Sequence, residues 1–148
     1  MPKAAPNSLP DLQCACANLR RAARLVTQLY SHEMGSHIDP AQFALLSTLS
    51  HLPGTSQAPL GRILGLDKTT LSRNLSVLQR KGWIVPERSE DLREKVWYLT
   101  PAGEQIIKET KPGWQRAQAR LLAAMSPAQW QSMSKIVGQV AEAAISAR

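Results

Sequence analysis

Short hydroxyl and cationic side chains crowd the start of one predicted helix. The helix follows Asp67, a residue type that caps helix N-termini. Three leucines recur on one face of it: Leu71, Leu75 and Leu78. The polar positions of its first two turns are Lys68, Thr69, Thr70, Ser72, Arg73 and Asn74. Such side chains reach base edges and phosphates, and short hydroxyls let the backbone approach closely. The pattern therefore indicates a surface for nucleic acid.

A shorter helix signal precedes this helix at the spacing of a helix-turn-helix. Ser56 is the N-cap candidate for a helix over 57–64. Its apolar residues Leu60, Ile63 and Leu64 are predicted to face inward. In a helix-turn-helix the second helix enters the major groove by its N-terminal residues. Ser56 and the six polar residues are therefore candidate DNA contacts.

A charged hairpin follows the second helix. Two β-rich runs, 83–85 and 96–99, are separated by a polar loop that holds several cations. Taken alone, such a loop is more often a solvated hairpin, but its place behind two helices is typical of a wing. Arg93 lies at the tip, where a guanidinium can enter a narrow minor groove. Asp91 and Lys95 complete this part of the candidate interface.

Helix start signals recur on both sides of this central module. Asp39 and Gln42 form a predicted capping box around a first-turn proline. The same chemistry recurs at Ser126, and a related version at Thr100. Upstream, apolar residues over 12–30 recur at spacings of three and four, which predicts a long amphipathic helix.

The terminal helices carry more apolar surface than the small central module can cover. Lys111-Pro112-Gly113 is expected to kink or break the helix that follows Thr100. With that helix counted as two, the chain has seven helical segments. We therefore predict that segments 10–34 and 101–148 pack together and are shared between two copies of the chain. Packing within one chain is the alternative.

The chain as a whole fits one mainly helical domain. It has 148 residues, of which 43% are hydrophobic, enough for one moderate core. The predicted fold class is mainly α with a small β-hairpin wing, a winged helix-turn-helix over 39–100 flanked by terminal dimerisation helices. The net charge of +7 favours a polyanionic partner. No window approaches the roughly 18 apolar residues that span a bilayer, so we expect a cytoplasmic protein without membrane contact.

Other chemistry has little support in the sequence. His32, His37 and His51 lack the spacing of metal ligands, so we expect neither a metal nor a cofactor. On a helix Cys14 and Cys16 would point about 200° apart, which excludes a disulfide between them there. No nucleophile elbow, phosphate-binding loop or carboxylate pair indicates an enzyme. The alternatives to DNA binding are a winged-helix protein-interaction module and a small enzyme.

These motifs together resemble the MarR family of transcriptional regulators. The segments that carry the resemblance are 57–60, 66–73, 81–84, 91–93 and 99–103. The resemblance implies a homodimer that binds a pseudo-palindromic operator in double-stranded DNA. Such a protein is usually a repressor that a small ligand or oxidation releases. Position by position, the resemblance makes Thr69, Thr70 and Arg73 DNA-facing and assigns Asp91 and Arg93 to the wing Asp-x-Arg, in which the Asp often orients the Arg.

The resemblance also implies an effector site outside the central module. In the organic-hydroperoxide branch a reactive cysteine precedes a tyrosine by fourteen residues, the spacing of Cys16 and Tyr30. A second tyrosine and a distant resolving cysteine of that branch are missing here, and a cysteine on an apolar stripe is more often a packed thiol. A ligand between the first, second and kinked helices is the other release signal. Arg20, Tyr30 and His32 are candidates to bind an aromatic carboxylate there, although they fit surface or core positions equally.

Overall fold

Six α-helices and three β-strands make up the described part of the chain. The structure is a computed structural model that describes residues 8–148. The helices are α1 (Ala15–Met34), α2 (Pro40–His51), α3 (Gln57–Leu64), α4 (Lys68–Arg80), α5 (Pro101–Ala123) and α6 (Pro127–Ser146), and the strands are β1 (Thr55–Ser56), β2 (Ile84–Arg88) and β3 (Lys95–Leu99). None of these helices is long and apolar enough to cross a bilayer. The predicted fold class, mainly helical with a small β-element, is confirmed.

Side chains close the helix N-termini at the predicted capping motifs. Asp39 accepts a hydrogen bond from the backbone N–H of Gln42, and the Gln42 side chain accepts one from the backbone N–H of Asp39. Ser126 and Gln129 make the same reciprocal pair at α6. At α5 the Thr100 hydroxyl accepts the N–H of the third helical residue. These boundaries depend only on residues within one turn, which is why the sequence predicts them.

The apolar core lies between α2, α3, α4 and the strands. Its most fully buried side chains are Leu45, Leu46, Leu49, Leu60, Leu71, Leu75, Leu78 and Ile84. The inward faces predicted for α4 and for Leu60 are therefore confirmed. Ile63 was predicted wrongly, because its side chain is 54% exposed. It lies about 60° round the helix from Leu60, beyond the narrow side of α3 that meets the core.

The sheet has the order β1-β3-β2, with both pairs antiparallel. β2 and β3 form the predicted hairpin, in which Ile84 lies opposite Leu99. β1 was not predicted; its Thr55 lies opposite Trp97 on the other side of β3. A two-residue strand carries no periodicity of its own, so only its pairing with β3 reveals it. Through β1 the start of α3 is attached to the wing.

Helix α5 runs without a break through Pro112, so the predicted break is wrong. Proline inside a helix removes one N–H and costs about 3 kcal/mol. Here Gly113 is buried against α1, and a Cβ on it would lie 2.4 Å from the carbonyl oxygen of Glu33. Further along α5, Arg116 and Arg120 pair with the Glu33 carboxylate. Both halves of α5 are thus held on α1, and this packing outweighs the local cost of the proline.

The two terminal helices make unequal contacts within the single chain. α1 begins at Ala15, later than the predicted segment 10–34, and packs chiefly along α5 rather than along α6. α6 buries none of its residues. Its exposed large apolar side chains are Ile136, Val137, Val140 and Ile145. The apolar face of α6 therefore has no cover within residues 8–148.

Candidate DNA interface

The first turn of α4 is fixed by the carboxylate of Asp67. Its Oδ1 accepts the backbone N–H of Thr70 at 2.8 Å, and its Oδ2 accepts the Thr70 hydroxyl at 2.8 Å. The N–H first, and then the hydroxyl, hold the pKa of Asp67 below its ordinary value of 3.8. Thr70 therefore offers a partner only the acceptor side of its hydroxyl. The side chains of Lys68 and Thr69 are exposed beside it.

The face of α4 opposite the leucines carries an open groove of about 400 Å³. Its lining residues are Ser72, Arg73, Ser76, Val77 and Arg80. The sequence-based candidates ended at Asn74 and missed the last three. The helical repeat was the signal that could have found them, because Arg73, Ser76 and Arg80 recur at spacings of three and four on one face. Asn74 itself is half-buried on the flank of α4.

The wing tip is a closed turn organised by Asp91. Its Oδ1 accepts the Ser89 hydroxyl at 2.6 Å and the backbone N–H of Arg93 at 3.1 Å. The hydroxyl first, and then the N–H, lower the pKa of Asp91 from its ordinary value of 3.8. Leu92, between the two, has a φ of 60° in the left-handed region. Asp91 thus orients Arg93 through its backbone, and the Arg93 side chain is exposed.

The cations of this surface are not neutralised by carboxylates. All ion pairs found among residues 8–148 involve Glu33, which lies on α1. The exposed cations near α4 and the wing are Lys68, Arg73, Arg93 and Lys95. An unpaired cationic surface of this kind attracts phosphates and releases their counterions on binding.

A cleft of about 580 Å³ lies between α3, α4 and the wing. Its polar and aromatic lining comprises Ser56, Gln57, Lys68, Arg93, Lys95 and Trp97. Four predicted contacts from separate parts of the sequence therefore meet in one place. Ser56 is the N-cap of α3 but makes no side-chain capping hydrogen bond. Gln57 was not predicted as functional, because nothing local distinguishes it from any other glutamine in a first helical turn.

Comparisons with known proteins agree with this geometry. Residues 38–93 match the sequence model of the MarR family. The chain is similar to the M. tuberculosis transcriptional regulator MosR, solved in complex with DNA, at 30% identity and a TM-score of 0.83, covering 92% of this chain and 99% of that one. The chain belongs to the MarR family. A structure of MarR itself matches at 25% identity and a TM-score of 0.73, over 95% of this chain and 98% of that one. The family resemblance read from the sequence is confirmed.

One curated relative extends beyond the region that this MarR-family chain matches. It is a Thauera aromatica protein named as a transcriptional regulatory protein for the hcr operon. The two are 25% identical over 114 residues, which make up 76% of this chain and 65% of that protein. The chain therefore spans just under two thirds of that relative's length.

The predicted effector residues of this MarR-family chain are spread along α1. Tyr30 is half-buried, its hydroxyl donates to Gln118 Oε1 on α5, and burial raises its pKa. Arg20 is exposed, and His32 is exposed with its Nδ1 3.6 Å from Glu33 Oε1. Arg20 and His32 lie about 18 Å apart along the helix. The three cavities formed by the α3, α4 and wing residues do not include them.

Both cysteines are exposed free thiols. The prediction of a packed Cys16 is therefore wrong for the single chain. Fourteen helical residues separate it from Tyr30 by about 21 Å, so the two do not meet within one chain. Cys14 was wrongly placed inside the helix: it is the N-cap of α1, and its Sγ accepts the backbone N–H of Ala17 at 3.5 Å. Within residues 8–148 no cluster of histidine, cysteine or acidic side chains is placed to hold a metal ion.

Proposed function

We propose that this MarR-family protein is a homodimeric repressor that binds a pseudo-palindromic operator in double-stranded DNA. One observation carries this function. The N-terminus of α4 and the wing residue Arg93 border the same cationic cleft. A single subunit can therefore place α4 in a major groove and Arg93 in the neighbouring minor groove.

The side chains divide into base contacts and phosphate contacts. Arg73 lies at the middle of the outer face of α4, where a guanidinium can hold a guanine through two hydrogen bonds. Thr69, Ser76 and Val77 are the neighbouring candidates for base edges. Phosphate contacts fall to exposed residues of the cleft and its rim, which are Ser56, Lys68, Thr70, Ser72 and Lys95.

Two copies of the chain are proposed because the apolar face of α6 is uncovered in one copy. Burial of such a face against a second copy removes apolar surface from water. A two-fold dimer also presents two α4 helices, which matches an operator with two half-sites separated by one or two turns of DNA.

The relatives support a DNA-binding regulator over the alternatives. MosR, at 30% identity, was solved with DNA, and the curated relative is named as a transcriptional regulator. Neither name describes an enzyme or a protein-interaction module without DNA binding. A regulator that works on the operator belongs with the DNA, so cytoplasmic location stays our prediction.

Gel-shift titration over a salt series tests the DNA contacts. The probe is a DNA fragment selected by the native protein from a random library. We expect Arg73→Ala to weaken binding by about 10–100-fold, because it removes a base contact of about 1–3 kcal/mol. Arg93→Ala is expected to weaken binding and to make the salt slope shallower by about one. Lys108→Ala on α5 removes one exposed cation elsewhere and serves as the control; normal binding by both arginine variants refutes the assignment.

The release signal is proposed to be a small aromatic carboxylate between α1, α2 and α5, or oxidation of Cys16. The half-buried Tyr30 at the contact of α1 with α5 supports the first, and the exposure of Cys16 supports the second. In the same assay, a hydroperoxide that releases the native protein but not Cys16→Ser assigns the signal to this thiol. Unchanged binding by the oxidised native protein excludes it.

A further inference from the structure

We propose that Gln57 is a positioning residue that sets the rotation of α4 in the major groove and thereby determines operator specificity. This inference rests on the proposed function. Gln57 is the first residue of α3 and is half-buried. It directly follows Ser56, which lies opposite Val96 of the wing strand β3. Gln57 therefore stands where the sheet, α3 and α4 meet.

The side-chain amide of Gln57 grips α4 at two points. Its Nε2 donates to the backbone carbonyl of Lys68 at 3.1 Å and to the hydroxyl of Ser72 at 3.1 Å. These two acceptors are four residues apart, so they lie one above the other on the flank of α4 that faces α3. A contact at two heights on one flank resists both rotation of α4 about its axis and sliding along it.

The other contacts between α3 and α4 fix their separation but not this rotation. A Cβ on Gly61 would lie 3.0 Å from the carbonyl oxygen of Leu66, so the chain approaches itself closely at the turn. Deeper in the core, Leu60 and Leu71 meet through apolar side chains, whose attraction has no direction. The directional hydrogen bonds of Gln57 are therefore the contacts that distinguish one rotation from another.

A small rotation of α4 is enough to change base recognition. Arg73 follows the gripped Ser72, and its direction depends on the rotation of the helix. A turn of about 20° moves a side chain that lies about 6 Å from the axis by about 2 Å. Hydrogen bonds to base edges tolerate only a spread of about 0.5 Å in length. Specificity is thus expected to fail long before the fold does.

The test compares Gln57→Met with Gln105→Met. Methionine keeps the length of the side chain and removes both donors. Gln105 on α5 is the matched control, because it is an exposed glutamine that makes one side-chain hydrogen bond, to Glu109 at 2.9 Å. The measurement is the ratio of affinity for the selected operator to affinity for scrambled DNA of equal length. We expect Gln57→Met to lower this ratio by about tenfold, with non-specific affinity, salt slope and Tm nearly unchanged.

A double-mutant cycle with Ser72→Ala gives a second readout. Ser72→Ala removes one of the two acceptors, so we expect a smaller loss of specificity in the same direction. Combined with Gln57→Met it should cost nothing further, because both changes break the same contact. Ser72→Ala alone also decides the matter if Gln57→Met fails to fold, since an unchanged ratio in that variant overturns the proposal.

Three results contradict the positioning role. An equal loss of operator and non-specific binding means that Gln57 contacts the DNA itself. A lower Tm with an unchanged ratio means that it only stabilises the fold. Additive losses in the cycle mean that Gln57 and Ser72 act separately. Failure of the native chain to prefer any operator is seen before a variant is made, and it overturns the proposed function as well.

Discussion

At the residue scale, the acidic side chains of the candidate interface act on the protein backbone. Asp67 accepts an N–H at the start of α4, and Asp91 accepts the N–H of Arg93 at the wing tip. Each hydrogen bond favours the charged carboxylate, which is why both pKa values are lowered. The role of Asp67 follows from its place before a helix. That of Asp91 follows only from the folded turn, because the bond reaches the backbone of Arg93 rather than its side chain.

The lowered pKa of Asp67 predicts a pH dependence of stability. Its folded pKa lies below the ordinary 3.8, so its contribution is present above that value and is lost as the pH falls through the folded pKa. Asparagine also caps helices but does not titrate. We expect similar Tm values for the native protein and Asp67→Asn at pH 7, and a steeper fall for the native protein between about pH 5 and 3. Other carboxylates titrate equally in both proteins, so parallel Tm curves would contradict the role of Asp67.

At the scale of elements, the path of α5 shows tertiary packing outweighing a local rule. Pro112 is unfavourable inside a helix, yet the residue after it is a glycine at the closest approach of α5 to α1. The absence of a side chain at Gly113 lets the two backbones meet. On the next turns the ion pairs of Glu33 with Arg116 and Arg120 extend the contact, and Arg120 is the main reason that the pKa of Glu33 is lowered.

Gly113→Ala is expected to destabilise the protein. The new Cβ would lie 2.4 Å from Glu33 O and 2.9 Å from Met34 Cα, so α1 and α5 must separate to admit it. Overpacking of this kind costs about 1–3 kcal/mol, measured as the free energy of unfolding in denaturant. Lys111→Ala, an exposed change two residues earlier, should stay within about 0.5 kcal/mol of the native protein. A Gly113→Ala variant as stable as the control would show that this close approach is not required.

At the scale of the whole molecule, the uncovered face of α6 connects the fold to the two-fold operator. The winged part has its own core of leucines, whereas α6 buries nothing in the single chain. An exposed apolar face of that length is typical of a surface that meets another molecule. A second copy of the chain would cover it and would fix the distance between the two α4 helices.

Val137→Glu on α6 tests the proposed dimer against Ile63→Glu on α3. The two native side chains are similarly exposed, at 50% and 54%, so either charge should be tolerated in a single chain. We expect sedimentation to show a dimer for the native protein and Ile63→Glu, and a monomer for Val137→Glu. Loss of the second half-site should lower operator affinity of Val137→Glu by about 100-fold or more. A dimeric Val137→Glu would exclude α6 from the interface.

The sequence alone determined the features that depend on neighbours within one or two turns. The capping box of Asp39 and Gln42, the start of α4 after Asp67 and the wing hairpin could all be predicted because the interacting atoms lie close along the chain. The helical repeat likewise predicted the buried face of α4. The cationic residues of the interface followed from these elements, since the positions left exposed on them are polar.

Only the tertiary structure decided the features that depend on residues distant in sequence. The strand β1 exists because β3 pairs with it, and α5 continues through Pro112 because α1 packs against it. Exposure of Ile63 and Cys16 depends equally on which neighbours surround them. The grip of Gln57 on α4 spans eleven and fifteen residues, and no local pattern encodes it. Local chemistry specifies where helices and strands begin and end, whereas their mutual placement is specified by contacts that form only when the chain is folded.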